Sequence, residues 1–258
     1  MPLHCAQLSD LHLDGTDTTR QRLVRVVADL AQYAVPVDLI LVTGDLVQCA
    51  AFAEDDREAK LAEYRFVHEQ LSPLAPVGYC PGNSDDATFG VFLKETGIKA
   101  EGNNSRIDTG NTTFLLADSH VDRSSHGHLA DATLEWLEGE LSATTGSVVL
   151  AMHHPPVPFG HPVIDALRLD NASNLQHLVQ RFPQIDGILC GHTHATAATQ
   201  FAGRLLFVAP GVHSRGQHPW AYSKDVAADL LDTSVPPGYA LHRIDVTGLT
   251  SFPVMLRG

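Results

Sequence analysis

Five short stretches carry side chains that bind metals: Asp10-Leu11-His12, Gly44-Asp45, Gly82-Asn83, His153-His154-Pro155 and Gly191-His192-Thr193-His194. Together they supply three nitrogen-donor loops and three oxygen ligands. That mixture suits borderline ions such as zinc, manganese or iron rather than calcium or magnesium, which prefer all-oxygen shells. The ligands are too many for one ion. A bridging Asp45 can turn one carboxylate oxygen to each of two metals roughly 3.5–4 Å apart, the spacing used in two-metal hydrolysis of phosphate esters. Singly, an Asp-x-His or a Gly-Asp arises by chance, and a lone histidine after a strand is commonly a hydrogen-bonded structural residue. The weight lies in all five occurring together, each at the end of an apolar run. No G-x-S-x-G, Walker A loop, H-E-x-x-H or dinucleotide fingerprint competes with them.

The apolar runs are the elements that must position these residues. Val37 to Thr43 is apolar and β-branched, reads as a fully buried strand, and stops on Gly44 and Asp45, where the glycine allows close approach of backbone or metal. Leu3 to Leu8 leads likewise to Asp10 and His12, Val77 to Cys80 to Asn83, Val148 to Met152 to His153, and Gly187 to Cys190 to His192 and His194. In open α/β sheets the crevice outside the carboxyl ends of the strands is where ligands bind. Between the runs, helical spacing predicts helices from a cap at Asp17 or Thr18 to about Ala34, from about Ala53 to Gln70, from Ala87 to Thr96, from Thr133, and from Asn171 to Phe182. Ser105 to Ala117 reads as a hairpin turning at Gly110-Asn111. Short strands at Thr196 to Phe201, Arg204 to Val208, Tyr239 to Val246 and Thr250 to Leu256 predict a second sheet packed on the first. The expected architecture is α/β, one domain over residues 1–258 built as a four-layer α/β/β/α sandwich of two packed mixed sheets flanked by helices. Residues 211–237, rich in Gly, His, Ser and Pro, form a long loop near the site or at a subunit contact.

Composition narrows the function. A chain of 258 residues that is 44% hydrophobic can bury a sizeable core, and a net charge of −13 opposes binding to nucleic-acid polymers or anionic membranes. No apolar run reaches 18 residues and no basic, apolar leader precedes the first strand, so a cytoplasmic protein is expected. Cys5, Cys49, Cys80 and Cys190 form no C-x-x-C pair and read as buried thiols, while fifteen histidines hint at metal chemistry.

In this order the five blocks resemble the calcineurin-like metallophosphoesterase superfamily over nearly the whole chain, and most closely bacterial class III cyclic-nucleotide phosphodiesterases and related glycerophosphodiesterases. Met152-His153-His154-Pro155-Pro156, Leu169 to Leu175, Cys190 to His194, and Gly127-His128-Leu129 ahead of Trp136-Leu137 carry the closer likeness. The resemblance implies a metal-dependent phosphoric ester hydrolase with two ions of manganese, iron or zinc. One ion takes Asp10, His12, Asp45 and His194; the other takes Asp45, Asn83, His153 and His192, with His154 left out. It further implies phosphodiesters of small molecules as substrates, 3',5'-cyclic nucleotides or glycerophosphodiesters. Attack comes from metal-activated hydroxide with Asp45 and Asn83 at the reacting centre, and no protein nucleophile is needed. The alternatives are a phosphomonoesterase of the same superfamily and a metal-binding scaffold without turnover. Relatives assemble through C-terminal segments, so a homo-oligomer is expected by analogy.

One position departs from the family pattern. Where most members have Gly-Asn-His followed by an acidic residue, this chain has Gly82-Asn83-Ser84-Asp85. Ser84 removes a group of pKa about 6.5 beside the leaving group, so diesters with good leaving groups should survive the change better than monoesters. Asp85 then reads as a turn cap. His213, after a strand end, is the candidate substrate contact alongside Ser84, while His120, His126, His128, His161 and His218 read as exposed loop histidines. Trp136 reads as core and Trp220 as interface.

Overall fold

A computed structural model describes residues 2–218, 220 and 230–257. The elements run β1 (Leu3–Leu8), α1 (Asp17–Leu30), β2 (Leu39–Thr43), α2 (Arg57–Leu71), β3 (Val77–Cys80), α3 (Thr88–Glu95), β4 (Ala100–Glu101), β5 (Asn104–Thr109), β6 (Thr112–Leu116), α4 (Asp131–Ala143), β7 (Ser147–Ala151), α5 (Ala172–Arg181), β8 (Ile185–Cys190), β9 (Ala197–Phe201), β10 (Arg204–Val208), β11 (Arg215–Gly216), β12 (Leu231–Asp232), β13 (Gly238–Asp245) and β14 (Gly248–Met255). Helix starts follow their caps. Thr16, one residue earlier than expected, accepts the Thr19 N–H, so Asp17 lies in the first turn with its charge at the positive end of the helix. Asp56 caps Ala59, which delays α2 to Arg57 and leaves Glu54 and Asp55 outside it.

The strands form a five-stranded sheet, β14-β13-β1-β2-β3, and a seven-stranded sheet, β4-β5-β6-β7-β8-β10-β9. Period-two alternation sorts their side chains into three cores. Ala6, Leu8, Ile40, Val42 and Tyr79 face outward to Leu23 and Val26 of α1, Leu61, Tyr64 and Val67 of α2, and Phe89 and Phe92 of α3. Leu115, Leu150, Ile188 and Leu206 pack against Leu137 of α4 and Leu175 and Val179 of α5. Cys5, Leu39, Leu41 and Cys80 meet Phe114, Leu116, Val149, Leu189 and Phe207 between the sheets. These layers are the expected sandwich of two mixed sheets flanked by helices.

The C-terminal strands do not make a sheet of their own, as the sequence reading expected. β9 and β10 extend the seven-stranded sheet beside β8, and β13 returns antiparallel to β1, pairing Ala240 with Gln7 and Ile244 with Leu3. The free side of β1 is a row of unpaired backbone groups, and β13 satisfies it. β14 then becomes the edge. The Leu256 N–H donates to Pro237 O, so alternate residues turn their backbone groups to β13 and Pro253 turns its nitrogen outward. The missing N–H breaks no rung there and blunts the edge. Within 211–237 the described flanks pair as β11 and β12 rather than forming an open loop, and residues 219 and 221–229 lie outside the described residues. Among the described residues no helix is long and apolar enough to cross a membrane.

Candidate metal centre

β1, β2, β3, β7, β8 and β10 end on one rim, and each delivers site residues just beyond its last rung. The backbone there is unusual. Of seven described non-glycine residues with positive φ, five are Asp10 (55°), His12 (46°), Asp45 (53°), His192 (72°) and His194 (53°). A left-handed residue reverses the chain at once, which turns the ligand back over the rim, and Asp and His are among the types that tolerate it. Gly44 (φ 89°) has the role expected of it: a Cβ there would lie 2.3 Å from His153 Nδ1.

All seven expected ligand residues meet in one cluster. Asp45 is almost completely buried and divides its carboxylate: Oδ2 lies 3.4 Å from His12 Nε2 and Oδ1 lies 3.5 Å from His153 Nε2. On the first side His12 Nε2 is 3.1 Å from His194 Nε2, which is 3.4 Å from Asp10 Oδ1. On the other, Asn83 Oδ1 lies 3.2 Å from His153 Nε2 and 2.9 Å from His192 Nδ1. The outer nitrogens are already engaged. His12 Nδ1 donates to Gln48 Oε1 at 2.8 Å, His153 Nδ1 donates to Thr43 O at 2.8 Å, and His194 Nδ1 lies 2.7 Å from Ser214 Oγ. In neutral His12 and His153 this leaves the Nε2 lone pair facing inward, and the Nε2 atoms of His12 and His194, 3.1 Å apart, need a proton or cation between them. The donor set therefore fits borderline divalent ions, and Asp10/His12/His194, Asp10/Asp45/His153 and His153/His154/His192 each gather ligand atoms within 4.8 Å.

The charge balance agrees. Burial pushes the Asp45 carboxyl upward, but the His153 and His12 imidazoles outweigh it and hold the group well below the usual carboxylate range. Burial pulls His153 down, yet Asp45 and Asp10 raise it to about 9. Burial, with Asp45 adding to it, lifts Asp10 to about 6. His192, desolvated and beside His153, falls to about 3. In the absence of cations, a proton on His153 offsets part of the negative charge.

The remaining candidates fall in distinct places. Ser84 turns inward: its N–H donates to Asp45 Oδ1 at 2.7 Å and its hydroxyl to Oδ2 at 3.0 Å. Asp85 is a buried cap, accepting from Leu46, Val47 and Gly82 N–H and from the Tyr64 hydroxyl. His213 is half-buried, its ring edge-on to His12 with centroids 5.5 Å apart and its buried Nδ1 without a partner among the described residues. Burial and His12 push it down to about 4. His161 is not an exposed loop residue as expected: it is 2% exposed, and its Nδ1 accepts the Val163 and Ile164 N–H groups of its own turn. Trp136 packs partly buried on the α4 core, while Trp220 is 77% exposed. Gln48 and Ser214 were missed by the sequence reading, because nothing local marks a residue whose partner is a histidine 36 or 20 positions away.

The chain is similar to known proteins over most of its length. Residues 3–196 match the family described as Calcineurin-like phosphoesterase. The glycerophosphodiester phosphodiesterase GpdQ of Enterobacter lignolyticus is 31% identical over 225 residues, covering 84% of this chain and 76% of its own. The 3',5'-cyclic adenosine monophosphate phosphodiesterase CpdA of Escherichia coli is 34% identical over 176 residues, covering 67% of this chain and 60% of its own. A dimetal phosphatase from Danio rerio has the same fold, with a TM-score of 0.67 over 99% of both chains at 12% identity.

Proposed function

The chain belongs to the calcineurin-like phosphoesterase family, and from that premise we propose that it is a binuclear phosphodiesterase acting on small molecules, either 3',5'-cyclic nucleotides or glycerophosphodiesters. The observation that carries this reading is the divided carboxylate of Asp45, with one oxygen turned to each of two imidazole clusters. In this reading Asp10, His12, Asp45 and His194 hold one ion, and Asp45, Asn83, His153 and His192 hold the other. Bound there, the ions supply Lewis-acid charge for the phosphate oxygens and acidify water for attack on phosphorus.

The chain's own residues do the rest. Gln48, Thr43 O and Ser214 fix three imidazoles so that no reorganisation is needed when substrate arrives. Asn83 presents its amide oxygen to the ligand cluster and its amide N–H groups to a phosphate oxygen. His213 offers a further ring N–H beside His12. Ser84 contributes a hydroxyl where relatives place an ionisable ring, which favours diesters whose leaving groups depart without an acid. Manganese, iron or zinc as the ions, one domain over 1–258, a cytoplasmic setting and a homo-oligomeric state belong to the same proposal.

The test is hydrolysis of bis(p-nitrophenyl) phosphate against p-nitrophenyl phosphate by protein reconstituted with Mn²⁺, beside Asp45→Ala. Diester preference that disappears in the variant is expected. Preference for the monoester would make the protein a phosphomonoesterase, and two bound ions without turnover of either ester would make it a binding scaffold.

A further inference from the structure

Beside the centre lies a buried histidine that the ligand scheme leaves out. His154 has no solvent exposure. Its ring stands edge-on to His153, with centroids 4.8 Å apart and planes at 87°, and tilted on His192 at 4.7 Å and 50°. Two more groups close on it. Ser119 Oγ lies 2.9 Å from Nδ1 and accepts the His154 N–H at 3.3 Å. Gly127 comes so near that a Cβ there would lie 2.3 Å from the ring's Cγ.

These two backing residues are themselves tied down. The Gly127 N–H donates to Arg168 O at 3.3 Å, Gly127 O accepts the Asp170 N–H at 2.9 Å, and the His128 N–H donates to Ser119 O at 3.0 Å. The loop between β6 and α4 is thus stitched to the segment before α5 and presses on His154 from behind. Packing alone does not explain an imidazole here, because its Nε2 is buried without a partner among the described residues, and an apolar ring would avoid that cost. What the imidazole has and a phenyl lacks is a tether at Nδ1, which stops the ring turning about its own axis.

We propose that His154 is a positioning residue: tethered by Ser119 and backed by Gly127, its ring sets the angle at which the His153 and His192 imidazoles meet the second ion. The inference rests on the binuclear reading above. Among the described residues His154 stacks on neither His12 nor His194, so its effect falls on one ion of the two.

The experiment titrates metal-free protein with Co²⁺, following stoichiometry by elemental analysis and each site by its visible absorption. Ser119→Ala loosens the ring, Gly127→Ala crowds it from the opposite side, and Ser119→Thr keeps the hydroxyl. Ser119→Ala and Gly127→Ala should each weaken the second Co²⁺ by about 10- to 100-fold. Both should shift the absorption of that site and leave the first ion unchanged, with metal-free melting lowered, most in Gly127→Ala where the added Cβ meets the buried ring, and Ser119→Thr should restore most of the affinity. Wild-type affinity for the second ion in both variants overturns the proposal. Parallel weakening of both ions overturns it too, since the wedge would then be general packing. Uptake of a single ion by the unsubstituted protein overturns the binuclear reading and this inference with it, and shows before any substitution is made.

Discussion

Ser84 is bound to Asp45 through both its backbone and its hydroxyl, so the position where the family's commonest pattern has a titrating ring is occupied by a group that cannot give up a proton near neutral pH. Ser84→His should raise kcat on p-nitrophenyl phosphate by about a hundredfold, the low end of what a positioned acid contributes, with a smaller gain on the diester. Equal change on both substrates would remove the link between this residue and substrate choice. His242 makes a second prediction. It lies between the sheets, where its Nε2 is 3.0 Å from Gln7 Oε1 and its Nδ1 is 2.8 Å from Ser251 Oγ, and burial lowers it to about 3. The folded group stays neutral while the unfolded one takes a proton below about 6.5, so its stabilising contribution is full above that pH and drains away as pH falls toward 3. Urea titrations in EDTA at pH 6.5 and 4.5 should show the native protein losing about 2 kcal/mol more than His242→Gln over that interval. Parallel losses would mean that His242 is charged in the fold.

At the scale of elements, the strap between β10 and β13 hangs on α1. The Arg22 guanidinium donates to Val212 O at 2.8 Å, Val235 O at 2.8 Å and Thr233 O at 3.2 Å, closing both ends of the strap on one side chain. Next to Val212, His213 N–H donates to Asp10 O at 2.9 Å, and one residue further Ser214 holds His194. Arg22→Met should raise amide exchange at residues 212–216 and 230–235 by about tenfold, from the loss of hydrogen bonds worth about 1 kcal/mol each or more, while exchange in β1 and β2 is unchanged. Uniform loss of protection would mean that Arg22 serves the whole fold. This clamp also shows where legibility in the sequence ends. Strand ends were readable because a β-branched run followed by Gly-Asp or Gly-His is a local pattern, and the residues that the structure clusters on the rim lie just after them. Arg22 carries no such mark, because its three acceptors are backbone carbonyls about 190 to 213 positions away. The return of β13 to β1 was hidden for the same reason: alternation tells which face of a strand is apolar and says nothing of which edge it joins. Asp85 was legible as a cap, though its reach to Leu46 and Val47 across 39 and 38 positions was not.

For the whole molecule, the centre joins the two sheets: Asp10, Asp45 and Asn83 come from the five-stranded sheet, and His153, His192 and His194 from the seven-stranded one. Ions bound there would cross-link the layers in the folded state only. At a hundredfold excess over Kd each ion should add about 2.7 kcal/mol, so saturating Mn²⁺ should raise the melting temperature by about 10 °C or more over protein in EDTA, and Asp45→Ala should lose most of that rise. A melting temperature indifferent to Mn²⁺ would contradict a centre that spans the sheets. The left-handed backbone at Asp10, His12, Asp45, His192 and His194 bears on how such a protein can be evolved. Each such residue is held at a cost of order 1–2 kcal/mol, and five of them together rival the whole net stability of an ordinary domain. Glycine would relieve that cost at any of the five while deleting a proposed ligand, so a laboratory lineage bred for heat resistance alone would gain most readily by dismantling the proposed centre. Only selection that demands turnover in every generation keeps the five positions occupied.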